Sequence, residues 1–229
     1  MDFIQTDKQL LLSLCGSDSV FLDSLMTTLT ATVTWIPLYV ALLYVVMKNS
    51  IRSRDVLLII GAALLCLLFA GTVDDSIVKP LVQRWRPARD PEIGVLVDIV
   101  GTYRGGRFGF FSAHAANTFS IAIFFSLLIR SRLLTISMVA WSLLNCWTRI
   151  YLGVHYPGDI LVGLLWGAFV GTAVYLVYRR IQPIPEMPPN YVSTQYTMSG
   201  YQRSHVDIIV SVLVLIVLYA IIKACVISI

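Results

Sequence analysis

The sequence predicts an all-α fold: an integral membrane bundle of about six transmembrane helices, preceded by one or two N-terminal interfacial helices. Two observations lead to this prediction. Hydrophobic residues make up 57% of the 229-residue chain and charged residues only 13%, a balance too apolar for a water-soluble domain of this length. The apolar residues also fall into separate runs, most of them close to the roughly 20 residues that a helix needs to cross a bilayer.

The six apolar runs cover about 30–47, 56–73, 112–129, 133–147, 158–178 and 207–227. Each predicts a membrane helix. Residues 10–28 form an amphipathic stretch interrupted by Gly-Ser-Asp-Ser, which predicts interfacial helices, with a partial span as the alternative. The Pro-rich segment 181–204 predicts a loop of polyproline character. We expect a single membrane-embedded domain over 1–229, in which 207–227 is an additional C-terminal span.

Basic residues in the connections predict the orientation of the bundle. Three connections between the apolar runs are basic. They hold Lys48, Arg52 and Arg54, then Arg130 and Arg132, and finally Arg179 and Arg180. The positive-inside rule assigns these connections to the cytoplasm, and therefore both termini and the loops 74–111 and 148–157 to the outer face. The loop 74–111 nevertheless holds six cations: Lys79, Arg84, Arg86, Arg89, Arg104 and Arg107. Cations kept on that face indicate an anion-binding role.

Charge and cysteine content exclude several other classes of protein. The net charge is only +4, without long Lys/Arg tracts, so a nucleic-acid partner is not expected. The four cysteines have neither metal-ligand nor Cys-x-x-Cys spacing, and we expect no disulfide framework. Asp74 and Asp75 have no third carboxylate at useful spacing for a metal. Asp75 instead stands one helical turn before Lys79, which predicts an ion pair.

Three short stretches of the predicted outer face contain the residue types that phosphoryl transfer requires. They cover 79–87, 111–114 and 148–159. Arg and Lys neutralise phosphate oxygens, and Arg can contact two of them at once. A neutral His can attack phosphorus when a carboxylate orients its ring. A second His can protonate the leaving oxygen and later deprotonate water, while the N–H groups of a helix N-terminus add anion-binding donors.

The order and spacing of these residues resemble one known family. Lys79 is followed by Arg86-Pro87, then comes Ser112-Ala113-His114, and Arg149 is followed by His155 and Asp159. This arrangement is similar to the type 2 phosphatidic acid phosphatases, a family of membrane lipid phosphatases related to vanadium haloperoxidases. The resemblance implies no metal and no cofactor. It implies a nucleophile at His155, an orienting carboxylate at Asp159, a general acid at His114, and phosphate binding by Lys79, Arg86, Ser112, the backbone at Ala113, and Arg149.

Two positions depart from the usual pattern of the family. The second motif commonly reads Pro-Ser-Gly-His, whereas this chain has Phe111-Ser112-Ala113-His114. Ala113 carries a Cβ, so the turn must have a φ that a non-glycine residue can adopt. The third motif commonly opens with Ser-Arg, and Thr148 keeps the hydroxyl. Neither change removes a reacting group.

The resemblance implies hydrolysis of a terminal phosphate from a lipid, through a phosphohistidine. The motifs do not discriminate among undecaprenyl pyrophosphate, phosphatidylglycerophosphate, phosphatidate and lipid A phosphate, because all four present the same group. A lipid phosphotransferase with the same His nucleophile, and a non-catalytic transporter of anionic lipid, remain alternatives. We expect a multi-pass protein of a bacterial inner membrane, with its site facing the periplasm.

Overall fold

The structure is a computed structural model that describes residues 3–101, 104–183 and 190–228. These residues form α-helices and, apart from two isolated bridges, no β-structure. The α-helices are α1 (Phe3–Leu14), α2 (Val20–Thr30), α3 (Ile36–Asn49), α4 (Ser53–Leu67), α5 (Lys79–Val82), α6 (Ala113–Ile129), α7 (Arg132–Tyr151), α8 (Pro157–Ile181) and α9 (Arg203–Ser228).

Within the described ranges, five helical stretches are long and apolar enough to cross a membrane. They are Thr32–Asn49, Ser53–Val82, Arg132–Tyr151, Pro157–Ile181 and Arg203–Ser228. The first joins a short 3₁₀ turn to α3, and the second joins α4 to α5. The 17-residue helix α6 is also largely apolar and packs against α7 and α8. The predicted all-α membrane bundle is confirmed.

The second span extends further than its hydropathy predicted. Two π-helical segments, Leu68–Thr72 and Asp74–Val78, continue α4 directly into α5. The prediction that a loop begins at Asp74 was therefore wrong for residues 74–82. The charges of Asp74 and Asp75 ended the apolar run in the sequence, but both carboxylates pair with Lys79 and are carried on the helix. Such π-helical turns are frequent at functional sites.

The N-terminal region forms two helices, and the break between them includes the predicted Gly-Ser-Asp-Ser sequence. Ser19 caps α2 by accepting a hydrogen bond from the N–H of Leu22. Helix α2 packs against α7 and α9, while α1 contacts α7 and α8. The N-terminal helix α1 therefore lies beside the helices that carry the third motif.

Close packing of α8 against α6 depends on a repeated glycine. One glycine occurs in each successive turn of α8: Gly163, Gly167 and Gly171. A Cβ at these positions would lie 2.8, 2.6 and 2.5 Å from backbone oxygens of α6 or its cap, on Ser112, Ala116 and Ser120 respectively. Small residues at this spacing allow two membrane helices to approach closely. The stripe therefore fixes the start of α6 beside the start of α8.

The helix ends define two different faces of the bundle. The N-terminal ends of α6 and α8 meet the C-terminal ends of α5 and α7 at one face, which we call the motif face. The connections 50–52 and 130–131, and the described residues 182–183 and 190–202 of the connection after α8, lie at the opposite face. Residues 190–202 fold back there, and Ser199 donates a hydrogen bond to the carbonyl of Ile129 at 2.6 Å. The predicted polyproline loop falls partly on 184–189, outside the described residues.

Candidate active site

The third motif places a histidine against a carboxylate at the start of α8. Pro157 occupies the first turn of the helix, where its missing N–H costs no hydrogen bond. The Oδ2 atom of Asp159 accepts the N–H of Tyr156 at 3.1 Å. The Nδ1 atom of His155 lies 3.6 Å from the same oxygen. Both side chains are almost completely buried. This distance exceeds a hydrogen bond, although contacts of this kind often shorten in substrate complexes.

The other ring nitrogen of His155 faces a guanidinium. The Nη1 atom of Arg86 lies 3.4 Å from Nε2 of His155, and its Nε donates to the carbonyl of Phe108 at 3.1 Å. The backbone approaches the Arg86 side chain closely at Gly105, where φ is +64° and a Cβ would lie 2.7 Å from Nη1. If Nε2 accepts from Arg86, the ring proton of a neutral His155 is on Nδ1, toward Asp159.

Two further cations of the motifs have partners in the structure, Arg149 on a neighbouring helix and Lys79 on its own helical span. Arg149, in the last turn of α7, is buried and donates from Nη1 to the hydroxyl of Thr30 at 2.7 Å. The Nζ atom of Lys79 lies 2.8 Å from Oδ2 of Asp74 and 2.5 Å from Oδ1 of Asp75. The predicted ion pair between Asp75 and Lys79 is confirmed. The contact with Asp74 was not predicted.

The second motif forms the N-terminus of α6. Ser112 is the N-cap, and its hydroxyl oxygen accepts the N–H of Ala115 at 3.4 Å. Its own N–H donates to the carbonyl of Asp159 at 3.1 Å. Ala113 is the first helical residue and has no positive φ, so the Cβ that distinguishes it from glycine causes no backbone strain here. The hydrogen bond from Ser112 to Asp159 therefore places the start of α6 beside the third motif.

The motif cations act on both histidines. The charges of Lys79, Arg86 and Arg149 all contribute to the electrostatic environment of His114 and of His155. Burial, followed by the charges of Arg86 and Arg149, holds the pKa of His155 well below its ordinary value. His155 is therefore neutral near pH 7, the state in which an imidazole can act as a nucleophile.

The structure gathers every residue singled out from the three motifs at the motif face. The set comprises Lys79, Arg86, Ser112, Ala113, His114, Arg149, His155 and Asp159. His114 is half-buried, whereas His155 is enclosed. A phosphate among these groups would meet three cations, helix N–H donors and a neutral imidazole. The arrangement can therefore bind a phosphate and present a nitrogen nucleophile to it.

Three charged residues of the site were not singled out for it by sequence reasoning. Arg84, one of the six cations of the loop 74–111, points inward and pairs with Asp7 and Asp159 at 2.6 Å each. Asp74, fully buried, accepts the N–H of Phe111 at 3.0 Å as well as pairing with Lys79. The sequence offered one signal, the Asp-Asp pair one turn before Lys79. Asp7 stands about 70 residues before the first motif and had no comparable signal.

Metal ligation is not evident in the described part of the chain. No group of three or more His, Cys, Asp or Glu side chains is close enough there to hold a metal ion.

Comparison with known proteins agrees with this geometry. Residues 55–183, more than half of the chain, match the PAP2 superfamily, and the chain belongs to that superfamily. A lipid A 4'-phosphatase of Bacteroides thetaiotaomicron is 43% identical over 76% of this chain and 78% of its own length. A lipid A 4'-phosphatase of Porphyromonas gingivalis is 34% identical over 78% of this chain and 75% of its own.

A solved structure shares the fold. It is the crystal structure of a transmembrane PAP2 type phosphatidylglycerolphosphate phosphatase from Bacillus subtilis, with a TM-score of 0.57. The likeness covers 81% of this chain and 90% of that one, at 19% sequence identity. The match to the PAP2 superfamily and the two lipid A 4'-phosphatase relatives, together with the apolar helices, identify the chain as a multi-pass membrane lipid phosphatase, a hydrolase. The family suggested by the motifs is thereby confirmed.

Proposed function

We propose that the protein hydrolyses the 4'-phosphate of lipid A, or of a closely similar glycolipid, through a phosphohistidine formed on His155. The observation that carries the proposal is the position of that ring between Asp159 and Arg86, with Nδ1 3.6 Å from a carboxylate oxygen and Nε2 3.4 Å from a guanidinium nitrogen. The choice of substrate rests on the two relatives named lipid A 4'-phosphatase.

Phosphate binding is assigned to the cations and to the start of α6. Lys79, Arg86 and Arg149 neutralise the oxygens, and the guanidinium groups offer paired donors to a tetrahedral anion. The hydroxyl of Ser112 and the N–H groups at Ala113 complete the cradle. This use of a helix N-terminus places its positive end toward the negative charge.

The first chemical step forms a bond between Nε2 of His155 and phosphorus. The bond between phosphorus and the lipid oxygen breaks, and His114 donates its proton to that oxygen. Asp159 orients the ring and stabilises the positive charge that develops on it. A phosphate bound close to His114 favours its protonated form, which the step requires.

The second step returns the enzyme to its starting state. Water attacks phosphorus, and the neutral His114 takes a proton from that water. The bond between phosphorus and Nε2 breaks, inorganic phosphate is released, and His155 is neutral again. No metal ion takes part in either step, because the cations and helix donors carry the electrostatic stabilisation.

The proposed location is a bacterial inner membrane with the site at its periplasmic face. The basic residues flanking the connections at the opposite face support this orientation. They include Lys48, Arg52, Arg130, Arg132, Arg179 and Arg180. By the positive-inside rule that face lies in the cytoplasm, so a lipid of the outer leaflet could present its phosphate to the site while its chains stay in the bilayer.

Phosphate release by purified protein tests the proposal. The substrates are lipid A, undecaprenyl pyrophosphate, phosphatidylglycerophosphate and phosphatidate, each with and without a chelator. We expect phosphate release, fastest from lipid A and unchanged by the chelator. His155→Ala abolishes it, and His205→Ala serves as the matched control because His205 lies at the opposite face, beside Asn49.

The outcomes separate the alternatives. Turnover retained by His155→Ala would refute the nucleophile assignment, and loss of activity in chelator would refute the metal-free mechanism. A new phospholipid in place of free phosphate would indicate a phosphotransferase. Binding and movement of lipid without any turnover would indicate a transporter. A faster reaction with a different lipid of the panel would overturn the substrate assignment alone.

A further inference from the structure

Helix α1 contributes a buried carboxylate to the surroundings of the active site. The side chain of Asp7 is 4% exposed. Its Oδ1 accepts the N–H of Gly158 in the first turn of α8 at 2.8 Å, and its Oδ2 lies 2.6 Å from Nη2 of Arg84. Asp7 is therefore linked to Asp159 in two ways. It binds the first turn of α8, the helix that carries Asp159, and it contacts Arg84, which itself contacts Asp159.

Arg84 bridges two carboxylates with the two ends of one guanidinium. Nη2 contacts Asp7, and Nη1 lies 2.6 Å from Oδ1 of Asp159. The guanidinium also lies over the ring of Tyr156, 4.2 Å from its centroid. Burial alone would lower the pKa of Arg84, but Asp159 and Asp7 raise it above its ordinary value. The planar fork of arginine suits this double contact, and the single ammonium of lysine does not.

These contacts fix the orientation of Asp159. Its Oδ1 is used by Arg84, so its Oδ2 is left to accept the N–H of Tyr156 and to face Nδ1 of His155. A carboxylate buried this completely favours its neutral form unless a cation is close. Arg84 is a cation in direct contact with it. The formal charges of Asp7, Arg84 and Asp159 add up to −1, so the group still presents net negative charge to the ring.

We propose that Asp7 and Arg84 are positioning residues, which hold Asp159 ionised and oriented toward His155. Helix α1 therefore contributes to the active site through Asp7. This inference rests on the proposed function, because it assumes that His155 is the nucleophile. Arg84 keeps the carboxylate charged. Asp7 holds Arg84 in place and prevents its charge from cancelling that of Asp159.

The two residues should shift the acid side of the pH profile in opposite directions. Without the cation, in Arg84→Gln, Asp159 and His155 both take up protons at higher pH. Without the anion, in Asp7→Asn, both take them up at lower pH. The other charged or titratable groups facing this network are Arg86, Tyr156, Lys79, Arg149 and His114, together with Asp90 and Lys8 behind Tyr156. All of them are unchanged in both variants.

A matched control separates positioning from the attachment of α1. Lys8 is the neighbouring buried anchor of the same helix, and its Nζ lies 2.9 Å from Asp90 and 2.7 Å from Glu92. Lys8→Gln removes a charged anchor of α1 but leaves both charge partners of Asp159 in place. If Asp7 and Arg84 only attach the helix, the Lys8 variant should behave like theirs.

The experiment measures kcat and KM for phosphate release between pH 4 and 9, in full-length protein of verified thermal stability. We expect kcat of Arg84→Gln to fall about tenfold to a hundredfold at neutral pH, a loss typical of removing an outer partner of a reacting group. We expect the midpoint on the acid side of its pH profile to move up by about one pH unit, and KM to stay within about twofold. Arg84→Lys keeps the charge and should return this midpoint to its original pH.

The acid-side midpoint of Asp7→Asn should move to lower pH, and that of Lys8→Gln should not move. The inference would be overturned if the acid-side midpoints of Arg84→Gln and Asp7→Asn did not shift, or if the Lys8 variant showed equal shifts. If Arg84→Gln does not fold, Asp7→Asn and Arg84→Lys still decide the question. If His155→Ala has no turnover but the acid-side midpoints of the Arg84 and Asp7 variants do not shift, the proposed function stands and only the role of α1 is rejected. A His155→Ala variant with full turnover rejects the proposed function itself.

Discussion

The imidazole of His155 lies between the carboxylate of Asp159, at the start of α8, and the guanidinium of Arg86, from a loop almost 70 residues earlier. Nδ1 is 3.6 Å from Oδ2 of Asp159, and Nε2 is 3.4 Å from Nη1 of Arg86. One ring edge is therefore oriented by a negative charge, while the other faces a group suited to binding phosphate. The position and chemistry of the remaining site residues are best understood from this relationship.

Removing the charge of Asp159 should reduce the rate and not substrate binding. In Asp159→Asn the ring loses the partner that orients it and stabilises its positive charge. We expect kcat to fall by about a thousandfold or more, as when the equivalent partner of a catalytic histidine is replaced, with KM little changed. Steady-state phosphate release measures both, and Asp207→Asn at the opposite face is the control. An unchanged kcat would contradict the role given to Asp159.

The neutral state of His155 predicts a particular acid titration. Burial and the charges of Arg86 and Arg149 hold its folded-state pKa well below the unfolded value of about 6.5. Protonation therefore favours the unfolded chain as the pH falls through 6.5, and the folded nucleophile stays neutral there. NMR of histidine-labelled protein should show one ring signal, absent from His155→Ala, that titrates well below pH 6.5. A midpoint at or above 6.5 would contradict this prediction.

Asp74 should matter more for stability than its neighbour Asp75. Asp74 is fully buried and joins Lys79 to the N–H of Phe111, whereas the side chain of Asp75 is 63% exposed. We expect Asp74→Asn to cost about 3 kcal/mol, because it leaves a largely buried lysine with one weak partner. Asp75→Asn should cost about 0.5 kcal/mol or less. Thermal unfolding in detergent compares the two, and equal midpoints would contradict this account.

The glycine stripe of α8 should not tolerate a methyl group. At Gly167 a Cβ would lie 2.6 Å from the carbonyl oxygen of Ala116, whereas at Gly61 nothing lies within 4 Å. Gly167→Ala should destabilise the protein by about 1 to 3 kcal/mol through forced separation of the helices. Gly61→Ala should be neutral or stabilising by about 0.5 to 1 kcal/mol. Thermal midpoints that fall equally in both variants would show that close packing is not the cause.

The helices could be predicted from the sequence wherever the bilayer alone determines them. Runs of apolar residues fixed the spans of α6, α8 and α9 to within a few residues. Hydropathy failed at Asp74, because a window of residues cannot show that Lys79 neutralises two carboxylates on the same helix. It also could not decide between interfacial and bundle placement of α2, which depends on packing against α7 and α9.

The site could be predicted where spacing within a motif corresponds to contact. His155 and Asp159 are one helical turn apart in sequence, so their approach follows from local geometry. The approach of Asp7 to Arg84 depends on where α1 docks, and no local pattern encodes that. At Ala113 the sequence required a φ that a non-glycine residue can adopt, but only the structure shows that the first position of a helix meets this requirement.

The most direct test of the central claim is to trap the phosphorylated enzyme. Radiolabelled lipid phosphate is mixed with the protein, quenched with alkali within milliseconds, and the labelled peptide is mapped. We predict a phosphohistidine on His155 that is absent from His155→Ala. Label on another residue, or turnover without any labelled histidine under conditions that preserve it, would contradict the proposed mechanism.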